Sequence, residues 1–211
     1  MSVGGTLTAS DKPAAAQLLA DAFFDNPAHV YIYPDPATRR KKLEWLMRTN
    51  LGAQMSVGQS FAERADNGSI SAMGFWHSPG APKASLWTLA RHGFFSMPLR
   101  DGATAFCRML FTVEEIEARR LKALGGRESW YLNNMVVARD ERGRGLGRKI
   151  LSGQLSATVR PSGFPASLTT QKVENVSFYN GLGFRVADDE PVIDEAGERF
   201  DNWIMIYEPA A

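Results

Sequence analysis

The chain has 211 residues, 44% of them hydrophobic, which is enough apolar material for one substantial core and predicts a single domain over residues 1–211. Its 24 basic and 23 acidic residues leave a net charge of +1, so the composition gives no support for binding to nucleic acid. A single cysteine excludes an internal disulfide and predicts a reducing, cytoplasmic location.

The start of the chain predicts a short strand and two helices. Residues 5–9 form the strand, and Ser10 or Asp11 caps a helix that has Pro13 in its first turn. Asp35 then opens the second helix, with proline at the next position. The connection between the helices carries four aromatic residues: Phe23, Phe24, Tyr31 and Tyr33. Either they form an aromatic rim that suits a small apolar amine, or half of them are core residues, since Phe23 continues the apolar side of its helix.

The middle of the chain predicts a β-hairpin and then a helical insertion. Residues 60–76 alternate as two strands around an Asp-Asn-Gly turn. Residues 78–128 are too many for a hairpin loop, so we predict that they form an insertion of helices. Two helices are expected within it, over residues 101–110 and 112–124, the second opened by a capping box at Thr112.

A glycine-rich turn follows an apolar strand at residues 130–137. The turn combines glycines with cations: Gly143, Gly145, Gly147, Arg142, Arg144, Arg148 and Lys149. Apolar residues from Leu146 onward recur at helical spacing, so a helix begins near Gly145. The glycines let a ligand approach free N–H groups at the helix start. A cation is unfavourable at this end of a helix unless an anion is bound there, so the turn predicts a pyrophosphate cradle.

Two common phosphate-binding turns do not match this spacing. A nucleotide P-loop needs Gly-Lys-Ser/Thr, but Gly147 is followed by Arg148-Lys149-Ile150 and no hydroxyl. A dinucleotide fingerprint needs G-x-G-x-x-G, whereas the glycines here are spaced G-x-G-x-G. The remaining pattern is Arg-x-x-Gly-x-Gly after an apolar strand.

A second motif lies about 30 residues further along the chain. After a predicted strand at residues 165–170, the segment from Asn175 to Phe184 predicts a short helix with Val176, Tyr179 and Leu182 on one face. Gly183 supplies its left-handed stop. Two closing strands are expected around residues 184–186 and 203–207.

Together the two motifs resemble the signatures of the GNAT N-acetyltransferase superfamily. One departure is Arg139, where the family often has proline. The resemblance implies an α/β GNAT fold: a central mixed, mostly antiparallel, splayed sheet flanked by helices, with the helical insertion before the motif strand.

The resemblance also implies a site. The co-substrate would be acetyl-CoA, held by Met135, Val136, Val137, Arg142, Gly143, Arg144, Gly145, Leu146, Gly147, Arg148, Asn175 and Tyr179. Tyr179 would lie near the thioester sulfur and act as the general acid, although a packed tyrosine whose hydroxyl bonds to the backbone is the alternative interpretation. The general base is not identified.

A narrower resemblance is to the puromycin N-acetyltransferase-like small-molecule group. It rests on Trp130-Tyr131-Leu132, on the second motif and on Trp203 near the end. That group commonly has a glutamate in the strand before the tyrosine helix, where this chain has Leu168-Thr169-Thr170. Puromycin is therefore not the expected substrate.

The predicted function is transfer of an acetyl group from acetyl-CoA to a primary amine of a small molecule, directly within a ternary complex. A protein lysine or N-terminal acetyltransferase and a non-catalytic acyl-CoA sensor remain as alternatives. No metal is expected, because the three histidines have no ligand spacing, and neither nucleic acid nor a membrane is an expected partner. A homodimer is compatible with the sequence, which does not define the oligomeric state.

Overall fold

The computed structural model describes residues 5–81 and 86–209. The helices are α1 (Lys12–Ala22), α2 (Pro27–Ile32), α3 (Pro36–Val57), α4 (Leu86–Arg91), α5 (Met97–Asp101), α6 (Ala103–Ala123), α7 (Leu146–Gln154), α8 (Arg160–Ser162) and α9 (Val173–Asn180). The strands are β1 (Gln59–Arg64), β2 (Ile70–His77), β3 (Trp130–Val137), β4 (Ala166–Thr170), β5 (Arg185–Asp188), β6 (Val192–Ile193), β7 (Arg199–Phe200) and β8 (Trp203–Tyr207). A π-helical turn, Leu155–Val159, makes α7 and α8 continuous.

Six strands form one mixed sheet in the order β1-β2-β3-β4-β8-β5. Every neighbouring pair is antiparallel except β3 and β4. Strand β2 is buried along almost its whole length, because helices cover both faces of the sheet. The predicted α/β fold with a mixed, mostly antiparallel sheet is confirmed.

The sheet opens between β3 and β4. Their pairing is limited to Trp130 with Ala166 and Tyr131 with Ser167. Beyond Tyr131 the two strands diverge, so the edge of β3 that faces β4 is left without a strand partner among the described residues. The strand is also bulged there, since Asn134 has a φ of 54° and the register with β2 shifts between Met73 and Phe75.

Two hydrophobic clusters pack on this sheet. One joins the N-terminal helices and α6 to β1 and β2, with Leu19, Leu43 and Phe75 fully buried. The other joins α7 and α9 to β3, β4 and β8, with Leu151 and Phe184 fully buried. The second cluster contains residues of both β3 and β4, so the two strands share a packed core although their pairing is short.

Several predicted elements differ in the structure. The predicted strand at residues 5–9 is wrong, because only one bridge forms there, between Gly5 and Ala62. The two helices expected at residues 101–124 are one helix, α6, in which the hydroxyl of Thr112 donates to the carbonyl oxygen of Arg108, 2.8 Å away, instead of capping a new helix. Asp101 ends α5 and accepts a hydrogen bond from Tyr33.

Other predictions are confirmed with small shifts. The hairpin forms as β1 and β2, the motif strand is β3 with the predicted bounds, and α7 begins one residue after Gly145. Helix α2 and the small β6–β7 hairpin were not predicted, since both are too short to give a clear periodic signal. Among the described residues, no helix is both long enough and apolar enough to cross a membrane.

Candidate active site

A cleft of about 830 Å³ opens where β3 and β4 diverge. Its walls come from the α1–α2 connection, the end of β3, the glycine-rich turn, the start of α9 and the start of β8. Residues predicted from both sequence motifs line it: Met135, Val136, Val137, Arg142, Gly143, Gly145, Leu146, Gly147, Arg148, Asn175 and Tyr179. The fold thus brings the two distant motifs to one cavity.

The glycines of the turn have two different roles. Gly143 and Gly145 both have a φ of 77°, and a Cβ built at either position would have no neighbour within 4 Å, so the space above them is open to a ligand. At Gly147 a Cβ would lie 3.1 Å from Cγ2 of Val137. Gly147 therefore allows α7 to pack closely against β3.

Helix α7 begins with its amide groups directed at this open space. Gly145 is the N-cap residue and no side chain bonds to the first turn. Free N–H groups and the positive end of the helix dipole together make an anion site. The pyrophosphate cradle stays a prediction for this open helix start.

The cations of the turn are separated in the structure. Arg142 lines the cleft and donates from Nε to the carbonyl oxygen of Val137 at 3.1 Å. Arg148 lines it too, but its Nη1 donates to the carbonyl oxygen of Gly181 at 2.8 Å. Arg144 is exposed, does not line the cleft, and pairs with Glu141 at 3.2 Å. Of these three guanidinium groups, Arg142 is the best placed for a phosphate.

Asn175 lines the cleft near the start of α9. Its Nδ2 donates to Oγ1 of Thr170 at 3.0 Å, which ties the start of α9 to the end of β4. The side-chain oxygen of Asn175 has no hydrogen bond to a described residue, so it can accept one from a ligand in the cleft.

Tyr179 lies in the second turn of α9 and is 8% exposed. Its ring packs against Phe178 and Phe184, with centroid distances of 5.1 and 5.7 Å. The hydroxyl makes no hydrogen bond to any residue that the structure describes, although the residue lines the cleft. Burial raises the pKa of Tyr179 well above its usual value, with a further contribution from Tyr131. The hydroxyl thus stays protonated at neutral pH and can serve as a donor.

The aromatic residues of the α1–α2 region are divided between core and cleft. Tyr31 and Tyr33 are buried, and their hydroxyls donate to Asp194 at 2.6 Å and to Asp101 at 3.0 Å. Phe24 lies under the guanidinium of Arg39. Of the four aromatic residues in this region, only Phe23 lines the cleft. Two of the four rings, Tyr31 and Tyr33, are thus core residues, but Phe23, which the helical pattern assigned to the core, lines the cleft.

Sequence reasoning missed a set of side-chain amides at the base of the cleft. Asn26 is 4% exposed and its Nδ2 donates to Oε1 of Gln171 at 3.0 Å. Gln171 in turn donates to Oδ1 of Asn202, which is fully buried, at 2.7 Å. The only local signal was Asn26 before Pro27, which marks Asn26 as the cap of α2.

Comparison with known proteins gives a domain match and a relative in sequence. Residues 111–202 match the acetyltransferase (GNAT) domain family. An uncharacterised N-acetyltransferase of Schizosaccharomyces pombe is 26% identical over 95% of this chain and 81% of its own length. Both findings support membership of the GNAT superfamily and an N-acetyltransferase activity, on the basis of the domain match over residues 111–202.

Solved structures share the fold over nearly the full chain. A histone acetyltransferase HPA2-related protein of Corynebacterium glutamicum superposes with a TM-score of 0.63 at 20% identity, covering 98% of this chain and 96% of its own. Arylalkylamine N-acetyltransferase 2 of Aedes aegypti superposes with a TM-score of 0.61 at 15% identity, with 98% of both chains covered. A polyamine N-acetyltransferase of Drosophila melanogaster superposes with a TM-score of 0.56 at 12% identity, covering 96% of this chain and 97% of its own. At these identities the likeness establishes the fold alone.

Proposed function

We propose that this single-domain enzyme transfers the acetyl group of acetyl-CoA to a primary amine of a small molecule, directly within a ternary complex. The observation that carries the proposal is one cleft, between β3 and β4, that contains both the anion site at the start of α7 and the hydroxyl of Tyr179. Acyl transfer from a coenzyme needs these two features at opposite ends of one extended ligand.

The cleft fits the chemistry of coenzyme A along its length. The amide groups of residues 143–147 and Arg142 suit the pyrophosphate. The unpaired edge of β3 at Met135, Val136 and Val137 offers backbone groups to the amides of the pantetheine arm, as an added strand would use them. Asn175 offers a side-chain acceptor to the same arm.

The reaction needs a proton donor near the sulfur, because the C–S bond breaks to leave a thiolate. The amine nitrogen attacks the thioester carbonyl carbon, the C–N bond forms and the C–S bond breaks. Tyr179 gives its proton to the departing thiolate and is reprotonated from solvent, while the nitrogen releases its protons to water. The net reaction converts an ammonium ion and acetyl-CoA into an N-acetyl amide, free CoA and one proton. A backbone N–H of β3 would polarise the carbonyl oxygen. Among the described residues no cluster of metal-ligating side chains occurs.

The residues that line the cleft near the α1–α2 connection favour an acceptor amine with an apolar body. Phe23, Pro27 and Trp203 line the cleft beside the polar residues of the α1–α2 connection. Such a surface suits an aromatic or apolar amine better than a bare polyamine. Two of the structural relatives are by name an arylalkylamine and a polyamine N-acetyltransferase, so both acceptor classes occur on this fold.

The function is tested by following free thiol while the purified protein is incubated with acetyl-CoA and a panel of acceptors. The panel contains aromatic monoamines, spermidine, a lysine-containing peptide and a peptide with a free N-terminus. We expect thiol release with the monoamines, faster than with spermidine. Release with the peptides alone would identify a protein acetyltransferase. Acetyl-CoA binding with no thiol release from any acceptor would identify a sensor.

A further inference from the structure

An ion pair closes one side of the cleft. Nζ of Lys172, the residue before α9, lies 2.6 Å from Oδ1 of Asp25 in the α1–α2 connection. The two residues are 147 positions apart in the chain, and both line the cleft. Their side chains differ in exposure, 73% for Asp25 and 28% for Lys172, so the carboxylate is the more accessible partner.

The backbone that carries Asp25 is held in place by its neighbour. Asn26 accepts hydrogen bonds from the N–H groups of Ala28 and His29 at the start of α2, and it donates to Gln171. Since Gln171 immediately precedes Lys172, two consecutive residues on one side of the cleft bond to two consecutive residues on the other. The amide contact is part-buried, whereas the carboxylate of the ion pair is largely exposed.

The group that Asp25 binds is chemically the same as the expected acceptor. Lys172 presents a primary ammonium on an alkyl arm, and an amine substrate in neutral solution is also a primary ammonium. The hydrogen bond from Lys172 holds the pKa of Asp25 below its usual value, so the carboxylate stays charged at neutral pH. Phe23 and Pro27, on either side of Asp25 in sequence, supply apolar surface for the rest of such a molecule.

We propose that Asp25 is the specificity-determining residue that binds the ammonium group of the acceptor, and that Lys172 occupies this position in the free enzyme. This inference rests on the proposed function, because it assigns the acceptor subsite of the same cleft. The acceptor displaces Lys172 from Asp25 as it binds, and it then loses its proton to water before it reacts. The substrate class is a cationic primary amine with an apolar body.

Two variants should change the acceptor KM in opposite directions. Asp25→Asn removes the charge that binds the ammonium, so the acceptor KM should rise about 10-fold or more. Lys172→Met removes the competing ammonium, so the acceptor KM should fall about 2- to 5-fold, the scale of an exposed ion pair. Both are measured at saturating acetyl-CoA with the best amine of the panel, and kcat should change less than KM.

Matched controls separate the charge of Asp25 from other effects. Asp21→Asn breaks a comparable ion pair, with Arg40 at 2.8 Å, that does not line the cleft, so it should leave KM unchanged. Asp201→Asn removes another carboxylate from the same cleft and should raise KM less than Asp25→Asn does.

Three results would overturn the assignment. A rise in KM for both Asp25→Asn and Lys172→Met would mean that the ion pair only fastens the two walls together. An equal or larger rise for Asp201→Asn would move the subsite to that residue. An unchanged KM for Asp25→Asn, with normal turnover, would mean that Asp25 does not bind the acceptor, and it would leave the proposed function intact. If the wild-type protein acetylates no amine, the proposed function itself fails, and the assignment of Asp25 fails with it.

Discussion

Nη1 of Arg148 donates a hydrogen bond to the carbonyl oxygen of Gly181, 2.8 Å away. The cation from the first turn of α7 thereby lies at the C-terminal end of α9, where the helix dipole favours a positive charge. A Cβ at Gly181 would lie 2.6 Å from Nη2 of Arg148, so a larger residue there would push the guanidinium group aside. The crowding of arginines at the start of α7 is thus partly relieved without any ligand.

Arg142 and Arg144 should differ sharply in their contribution to coenzyme binding. Arg142 lines the cleft, whereas Arg144 is exposed and paired with Glu141. Arg142→Ala should weaken acetyl-CoA binding by about 10- to 100-fold, the loss expected for a charge-assisted hydrogen bond. Arg144→Ala should change it little. Titration calorimetry at two salt concentrations measures both, and equal losses would contradict the separation of the two guanidinium groups.

Gly145→Val should abolish measurable CoA affinity. The branched side chain would occupy the open space above the first turn of α7 and keep phosphates from the amide donors. Because Gly145 has a φ of 77°, the substitution also strains the backbone. Gly163→Val is the matched control, with a φ of 71° and open space but no part in the cleft. If a folded Gly145→Val variant bound CoA normally by calorimetry, the central claim about the turn would be lost.

Tyr179→Phe should lower the rate of acyl transfer by about 10²-fold while leaving CoA binding nearly intact. The ring packing is kept, and the hydroxyl has no hydrogen bond to a described residue, so stability should change little. Tyr207→Phe is the control, since the hydroxyl of Tyr207 accepts a hydrogen bond from Arg160 and the residue does not line the cleft. A Tyr179→Phe variant with a normal rate and a lower melting temperature would make Tyr179 a structural residue.

His29 should make the protein less stable in mild acid. Burial lowers the pKa of His29 from 6.5 to about 4. The unfolded chain takes up a proton as the pH falls through 6.5, but the folded protein does so only near pH 4. The contribution of His29 to the free energy of unfolding is therefore fully present above pH 6.5, and it decreases as the pH falls toward 4.

The size of this effect is about 1–2 kcal/mol between pH 7 and pH 5, allowing for the partial exposure of the ring. The ring of His29 stacks on that of Phe23, with 5.1 Å between the ring centroids. The variant His29→Phe keeps an aromatic ring at this position, but its ring cannot titrate. Urea unfolding at the two pH values should show a smaller difference for the variant than for the wild type. Equal differences would assign the pH dependence to other groups.

Features with a local cause were predictable from the sequence. Gly145 and Gly183 both have positive φ angles at helix ends, and Asp35 caps α3 through the N–H of Ala37. Each of these signals acts within a few residues of the structure that it specifies. The same locality explains why the amino-acid sequence alone indicates both halves of the candidate coenzyme site, since each half is a short motif that begins or ends a helix.

Features that depend on distant partners were not predictable. The capping-box pattern at Thr112 is real, but its hydroxyl bonds to Arg108 because the helix is already continuous there. Asp101 could cap a helix on local grounds, yet it bonds to Tyr33, 68 residues away. No local pattern links Asp25 to Lys172 or Asn26 to Gln171, since these contacts exist only once the sheet has formed.

The free edge of β3 lies inside the sheet and not at its rim. An exposed edge strand normally invites pairing with another chain and thus aggregation. Here the gap narrows toward the pairs at Trp130 and Tyr131, so β3 lacks a strand partner on this side only beyond Tyr131. A slender ligand can enter the same wedge. The protein therefore keeps backbone hydrogen-bonding groups of an inner strand accessible within its cleft.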